Sequence, residues 1–231
     1  MSVICIIPAR GGSKGIPNKN IVKINGIPLI GHVIQNVKNS KIFSHIVVST
    51  EDKKIAKIAK KFGAEVPFMR PKYLASSTAT MDDVLLHATK KLIELNFKFD
   101  IFVWRDATTP FINTNDIKKS INLLKKKKCL AVCGVYKQHL NPYFNMVEKN
   151  KSGFLELSKK LPNRPKSRQE APIVYQLNGL YVYDTQKFLK TKKTDFSKCI
   201  PHQIPIETGL MIDIPFELFI AKSIFEKNRT R

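Results

Sequence analysis

No run of apolar residues in this chain approaches the ~18 that would span a bilayer as a helix, so no transmembrane segment and no membrane partner are expected. Acid is scarce: 18 Asp and Glu stand against 40 Lys and Arg, for a formal charge of +22. Arginine is scarce as well, with seven of those 40 (Arg10, Arg70, Arg105, Arg164, Arg168, Arg229, Arg231). The lysines are scattered over helix faces, as in Lys53-Lys54, Lys57, Lys60-Lys61 and Lys125 to Lys128, with no basic stripe interleaved with aromatics. That distribution argues against a nucleic-acid-binding protein. It reads as a lysine-rich solvated surface, which still attracts small polyanions.

Metal-binding spacings are also missing. Cys129 and Cys133 stand four apart, but in an apolar, β-like stretch with no further soft ligand nearby. Together with Cys5 and Cys199 they are expected to be free, mostly buried thiols. His32, His45, His87, His139 and His202 form no metal motif and no Ser/His/Asp arrangement. His87, set among apolar helix residues, reads as a packing residue. The opening stretch Met1 to Ile7 lacks a basic region and runs into Pro8. It reads as a buried strand rather than a signal peptide, which places the chain in the cytoplasm.

What the sequence does contain is a rhythm. Val3–Ile7, His45–Thr50, Glu65–Phe68, Asp100–Trp104 and Ala131–Tyr136 read as strands. Between them, Leu29–Asn39, Glu51–Phe62, Thr80–Leu95 and Asn115–Lys127 carry helix periodicity, with Thr80 and Asp83 in capping-box spacing. Strands alternating with helices of ~11–16 residues imply βαβ units and a mostly parallel sheet. The rhythm breaks over 139–175, where Pro142, Pro162, Pro165 and Pro172 fall; this stretch reads as an inserted excursion. Gly179–Asp184 and Met211–Ile214 read as later strands, and a last helix begins near Phe216. The 231 residues fit one α/β domain.

Ligands of parallel α/β sheets bind beyond the carboxyl ends of the strands. After the first strand comes Arg10-Gly11-Gly12-Ser13-Lys14-Gly15-Ile16-Pro17-Asn18-Lys19-Asn20, with three glycines and the positive charges of Arg10, Lys14 and Lys19. Glycines let backbone N–H groups wrap an anion, and the charge suits a polyphosphate. The spacing is neither a P-loop nor the Gly-x-Gly-x-x-Gly dinucleotide fingerprint. After the strand ending at Trp104 comes Arg105-Asp106-Ala107-Thr108-Thr109-Pro110. Asp106 there, and Asp213 in Met211-Ile212-Asp213-Ile214-Pro215, could share one Mg²⁺, which commonly takes one or two carboxylates and completes its shell with phosphates and water.

Taken together, these segments resemble the acylneuraminate cytidylyltransferases, the CMP-sugar synthetases. Ile7-Pro8-Ala9-Arg10-Gly11-Gly12-Ser13-Lys14-Gly15 with Lys19-Asn20 is similar to the family's nucleotide-binding signature. Val48-Ser49-Thr50-Glu51-Asp52, Arg70-Pro71 with Leu74-Ala75, Asn141 to Glu148, Arg168-Gln169-Glu170-Ala171-Pro172 and Asn178-Gly179 follow in family order. The Asn-Pro-Tyr-Phe-Asn-Met-Val-Glu and Arg-Gln-Glu-Ala-Pro segments look closest to members that activate sialic-acid-like sugars such as legionaminic acid.

The resemblance implies a Rossmann-like sheet of the nucleotide-diphospho-sugar transferase type, with 139–175 as a dimerisation subdomain reaching over a partner's site, and hence a homodimer. It implies transfer of CMP from CTP to the anomeric hydroxyl of a sugar acid, with Mg²⁺ and release of pyrophosphate. Related transfers to another sugar acid, or from another nucleotide, remain as alternatives. On this resemblance Arg10, Lys14 and Lys19 hold the triphosphate, assisted by Gly11, Gly12, Ser13 and Asn20. Arg70 and Ser76 to Thr80 lie near the base, and Arg168, Gln169 and Asn178 face the sugar. Asp106 and Asp213 bind metal. The family's usual closing Asp-Ile-Asp reads here Asp213-Ile214-Pro215, and Asp106 stands where many members carry glutamine. Asp106 is therefore the candidate for the acid that Pro215 replaces. Ser77 stands where an aspartate is common. The Pro215 departure also motivates a weakly catalytic, nucleotide-binding regulatory relative as a further alternative.

Overall fold

The computed structural model describes residues 1–13 and 15–227. Strand β1 (Val3–Pro8) leads through the glycine loop and a two-residue ribbon, β2 (Lys23–Ile24) with β3 (Ile27–Pro28), into α1 (Leu29–Asn39). Next come β4 (His45–Ser49), α2 (Lys53–Lys61), α3 (Met81–Glu94), β5 (Ile101–Arg105), α4 (Thr114–Lys127) and β6 (Ala131–Lys137). The excursion carries the hairpin β7 (Val147–Lys149) and β8 (Leu155–Leu157). The chain returns as β9 (Tyr175–Asp184) and continues through α5 (Thr185–Thr191), β10 (Cys199–Gln203), α6 (Ile206–Gly209) and α7 (Pro215–Lys227).

The central sheet has the order β10-β6-β9-β5-β1-β4. β1 pairs in parallel with β4 and β5, and β10 with β6, while β9 runs antiparallel to both its neighbours. The reversed strand places its early residues beside the carboxyl end of β5, so that the Asp106 N–H donates to Gly179 O at 2.9 Å. Strands buried on both faces need apolar residues throughout, and β1 supplies them by turns to two cores. Ile4 and Ile6 join Phe102, Trp104, Leu85, Leu92, Tyr183 and Phe188 on one face. Cys5 and Ile7 join Val48, the α1 residues Ile30, Val33 and Ile34, and Ile55 and Ala59 of α2 on the other. A third cluster seats Ile117, Ile121 and Leu124 of α4 on Val103, Val132 and Val182.

Local signals set most helix starts. Thr80 and Asp83 form the expected capping box at α3. Asp52 accepts from the Lys54 and Ile55 N–H groups, so α2 opens at Lys53 rather than at Glu51. Two expected strands are absent. Glu65–Phe68 makes one parallel bridge, Val47 to Glu65, before Pro67, which has no N–H to donate to a ladder. Met211–Ile214 is a loop, because the N–H groups of Asp213 and Ile214 both donate to Glu217 Oε2, at 2.6 and 3.0 Å, as the approach to α7. β10 went unrecognised because Pro201 interrupts it; on the sheet edge the missing donor is tolerated.

The excursion leaves the sheet after β6 and closes at its neck through Gln138 N–H to Val174 O at 2.9 Å. It exposes Phe154, Leu155 and Ile173 at 73%, 72% and 59% of their surface. The four cysteines are free, with Cys5 and Cys133 buried and Cys129 and Cys199 half-buried. His87 packs edge-on against Phe68, with its Nδ1 buried and without a hydrogen-bond partner among the described residues. Among the described residues no helix is long and apolar enough to cross a membrane.

Phe188 is fully buried, with its ring 5.4 Å from that of Phe102 and 5.2 Å from that of Tyr183. Phe188→Ala should cost about 3–5 kcal/mol, lowering the urea midpoint with little change in slope. A loss within the ~0.5 kcal/mol typical of surface substitutions would contradict this packing.

Candidate active site

A cleft of about 480 Å³ opens at the carboxyl edge of β1 and β5. Pro8, Trp104 and Asp106 form its floor, the loop after β1 one wall, and Arg70 with Ser76, Ser77 and Ala79 to Met81 the other; Thr108, Met211 and Asp213 close it.

The glycine loop is folded tightly on itself. Asn20 Nδ2 donates to Arg10 O at 2.8 Å, drawing the loop's end back to its start. Gly15 lies so close to the last loop that a Cβ there would stand 2.4 Å from Asp213 O, so only glycine fits. Arg10 crosses the cleft and donates to Ser76 O at 3.0 Å and Ala75 O at 3.4 Å, tying the two walls together. Behind it, Arg70 is buried and donates through Nε to Ser49 Oγ at 3.2 Å. Burial pulls its pKa down to about 10, with Glu51 opposing and Arg10 adding to the fall, so it stays protonated at neutral pH.

Two carboxylates face this basic lining. Asp213 pairs with Lys19, whose side chain is only 17% exposed. Asp106 Oδ1 accepts from Trp104 Nε1 at 3.0 Å. Burial pushes the Asp106 carboxyl up to about 6; the Trp104 hydrogen bond, Arg105 and Lys19 hold it down, and the charge of Asp213 adds to the rise. The two acids thus feel one another across the cleft. Among the described residues no donor reaches the second carboxylate oxygen of either, and no group of three or more His, Cys, Asp or Glu is placed to hold a metal. Two carboxylates with open oxygens, one of them raised by its surroundings, suit a magnesium ion that takes the rest of its shell from phosphate and water. Asp106 and Asp213 are the residues that would hold it.

Eleven of the sequence-predicted residues converge on this cleft: Arg10, Ser13, Lys19, Asn20, Arg70, Ser76, Ser77, Ala79, Thr80, Asp106 and Asp213; Thr78, in the same stretch, does not line it. Lys14 lies outside the described residues. Gly11 and Gly12 do not line the cleft, and the Gly11 N–H expected to cradle an anion donates instead to Glu51 Oε1 at 2.7 Å. A carboxylate of the protein itself takes that donor.

Arg168 and Gln169 line a separate pocket of about 400 Å³ on the excursion, with Lys137, His139 and Asn141. Asn178 faces no cleft: it is fully buried, and its side chain packs between Gly134 and Gly209, where Cβ atoms would stand 2.4 and 3.1 Å away. Its place is in the sheet, one residue before the glycine that supports Asp106. Trp104, Thr108 and Met211 were missed by sequence reasoning. Trp104 was legible in principle, as the last inward aromatic of a strand two residues before an acid.

Since the folded chain holds the Asp106 proton more tightly than the usual carboxylate value of 3.8, it gains stability as pH falls from about 6 toward 4. Above 6 the buried charge is a standing penalty. Asp106→Asn, which keeps an acceptor for Trp104, should therefore raise the melting temperature of the unliganded chain at pH 8, and the gain should shrink toward zero near pH 4. A variant no more stable than the parent at pH 8 would contradict the buried-carboxylate reading.

A family profile described as Cytidylyltransferase matches residues 4–207. A pseudaminic acid cytidylyltransferase of Campylobacter jejuni is 32% identical over 235 residues, covering 99% of this chain and 98% of that protein. A CMP-N,N'-diacetyllegionaminic acid synthase of the same species is 36% identical over 195 residues, covering 81% and 80%. Among solved structures, CMP:2-keto-3-deoxy-manno-octonic acid synthetase complexed with CTP superposes with a TM-score of 0.72 over 99% of this chain and 100% of that one, at 16% identity, a likeness of fold. With the profile spanning most of the chain and such relatives aligned along it, the protein belongs to the cytidylyltransferase family.

Proposed function

We propose that the chain transfers CMP from CTP to the anomeric hydroxyl of a nonulosonic, sialic-acid-like sugar acid and releases pyrophosphate. The observation that carries this reading is the cleft itself: Arg10, Arg70 and Lys19 around two carboxylates, in a family whose members aligned above are named for such sugars. In the reaction the sugar hydroxyl, giving up its proton to solvent, forms the new O–P bond at the α-phosphate, the bond from that phosphorus to the oxygen bridging to the β-phosphate breaks, and pyrophosphate leaves with the electron pair. No protein nucleophile is needed, so the work is positioning and charge stabilisation.

Lys19 and Arg10 draw the triphosphate to the loop after β1, with Lys14 assigned to the same task from the sequence. Arg70 and the segment Ser76 to Thr80 form the wall assigned to the base. Mg²⁺ bound at Asp106 and Asp213 would neutralise the phosphates and polarise the reacting P–O bond. A cytoplasmic setting fits a reaction that consumes CTP.

Pyrophosphate release, followed over a matrix of four nucleoside triphosphates and several nonulosonic acids, tests this. Release should need CTP, one acid and Mg²⁺ together, and Asp106→Asn and Asp213→Asn should each slow it about 100-fold, ~3 kcal/mol of barrier. No release with any pair removes the proposal; release with another base or acid selects the related transferase, and near-normal rates in either variant remove its metal role.

We further propose a homodimer joined through 139–175. The exposed Phe154, Leu155 and Ile173 support it, as does the position of Arg168 and Gln169 away from the cleft of their own chain, which assigns them to the sugar bound by a second copy. Sedimentation equilibrium should give twice the chain mass. Mixing Arg168→Ala with Asp106→Asn chains should restore activity that neither has alone. A fully active monomer would exclude the arrangement.

A further inference from the structure

Arg105 is an arginine in the wrong place for stability. It is the last residue of β5, fully buried, and among the described residues it forms no ion pair. Its Nε has no partner. Replacing buried ionic groups by apolar side chains is often neutral or stabilising, so packing alone does not account for a guanidinium here. Its two remaining nitrogens show what it does. One donates to Thr109 Oγ1 at 2.6 Å and the other to Thr109 O at 2.7 Å. Thr109 Oγ1 donates in turn to Asp106 O at 3.1 Å, and Thr109 N–H donates to the same carbonyl at 3.3 Å. The neighbouring Thr108 O accepts the Ile212 N–H at 2.9 Å, one residue before Asp213.

The fork of Arg105 therefore grips both ends of one threonine. Through that threonine it fixes the turn that presents Asp106, and through Thr108 it fixes the loop that presents Asp213. A planar, always-charged fork does this as a lysine cannot, because two parallel donors set orientation as well as distance. Neither Arg105 nor Thr109 lines the cleft.

We propose that Arg105 is a positioning residue for the reaction: a buried clamp that, by way of Thr109, sets the separation and aim of the two cleft carboxylates. The role rests on the reading above of Asp106 and Asp213 as the working acids. It concerns geometry delivered from beneath the cleft rather than contact with substrate.

Trp104, the single tryptophan of the chain, bonds directly to Asp106 and so reports on the turn without any ligand. Arg105→Lys keeps the charge and loses the fork; Thr109→Val keeps the fork and loses the hydroxyl; Thr109→Ser restores the hydroxyl. Arg105→Lys and Thr109→Val should each shift Trp104 emission in the unliganded chain. Each should also lower kcat about tenfold or more while KM for CTP changes by no more than about twofold, and Thr109→Ser should recover both signals. If Arg105→Lys does not fold, Thr109→Val and Thr109→Ser decide alone.

Folded variants with parental emission and parental kcat would overturn the proposal, as would altered emission with parental kcat while Asp106→Asn is inactive. An active Asp106→Asn would instead remove the reading of Asp106 as a working acid, and with it the catalytic role of the clamp. Altered emission would then leave Arg105 a structural clamp only.

Discussion

The arrangement of this cleft depends on one close approach, that of Asp106 to the backbone of Gly179. The Asp106 N–H is held by Gly179 O, and a Cβ on Gly179 would stand 2.7 Å from Asp106 Oδ2. Gly179 also has φ +74, a conformation that side chains resist. The antiparallel β9 thus does more than fill the sheet between β5 and β6. It brings a residue without a side chain against the end of β5, and that leaves the Asp106 carboxylate room to turn toward the cleft. Just ahead of that glycine, the Asn178 side chain is wedged between Gly134 and Gly209, and its Oδ1 accepts the Leu180 N–H at 3.3 Å.

Several donors of the cleft and its loop already have partners within the protein. Lys19 is paired with Asp213, Arg10 is spent on the carbonyls of Ala75 and Ser76, and the Gly11 N–H is taken by Glu51. A triphosphate entering such a site competes with internal partners rather than with water. The bonds it displaces are mostly single, partly exposed ones, which contribute little each, whereas the bonds that hold Arg70 and Arg105 are buried. The lining is therefore adaptable at the loop after β1 and fixed beneath it, where the carboxylates are set.

Much of this was legible from the chain. Apolar runs gave β1, β4, β5 and β6 because strands covered on both faces must be apolar throughout, and helix period with the Thr80–Asp83 box gave α3 almost to the residue. Residues at strand ends gave Asp106, Lys19 and Asn20, because an open α/β sheet has one functional edge. What stayed hidden depended on partners far away in sequence. Nothing local in Met211–Ile214 says that Glu217 will take its N–H groups and stop it from being a strand. Pro201 hides β10 because a proline is acceptable only on an edge, and edge position is a tertiary fact. Gly11 looked like an anion donor because the sequence does not reveal that Glu51, forty residues on, arrives first. Asn178 carried the family's pattern but not a cleft-facing side chain.

Pro215 looks at first like damage to a metal motif, since the family's second acid is gone. In the structure it is the first residue of α7, where a helix wants no N–H and a φ near that of proline. Glu217 supplies the acceptor for the N–H groups just before it. The segment has thus become a helix start, and Asp213 is held on the last residues before it, facing Lys19. Asp213 lies on the loop before α7, whereas Asp106 directly follows β5 on the floor of the cleft. The two segments that carry them are joined by the Ile212 N–H donating to Thr108 O at 2.9 Å, which fixes one loop against the other. The two carboxylates also suffice in number for an ion that draws the rest of its shell from phosphate. On the metal role proposed above, Asp106 with its buried support supplies the carboxylate that Pro215 cannot.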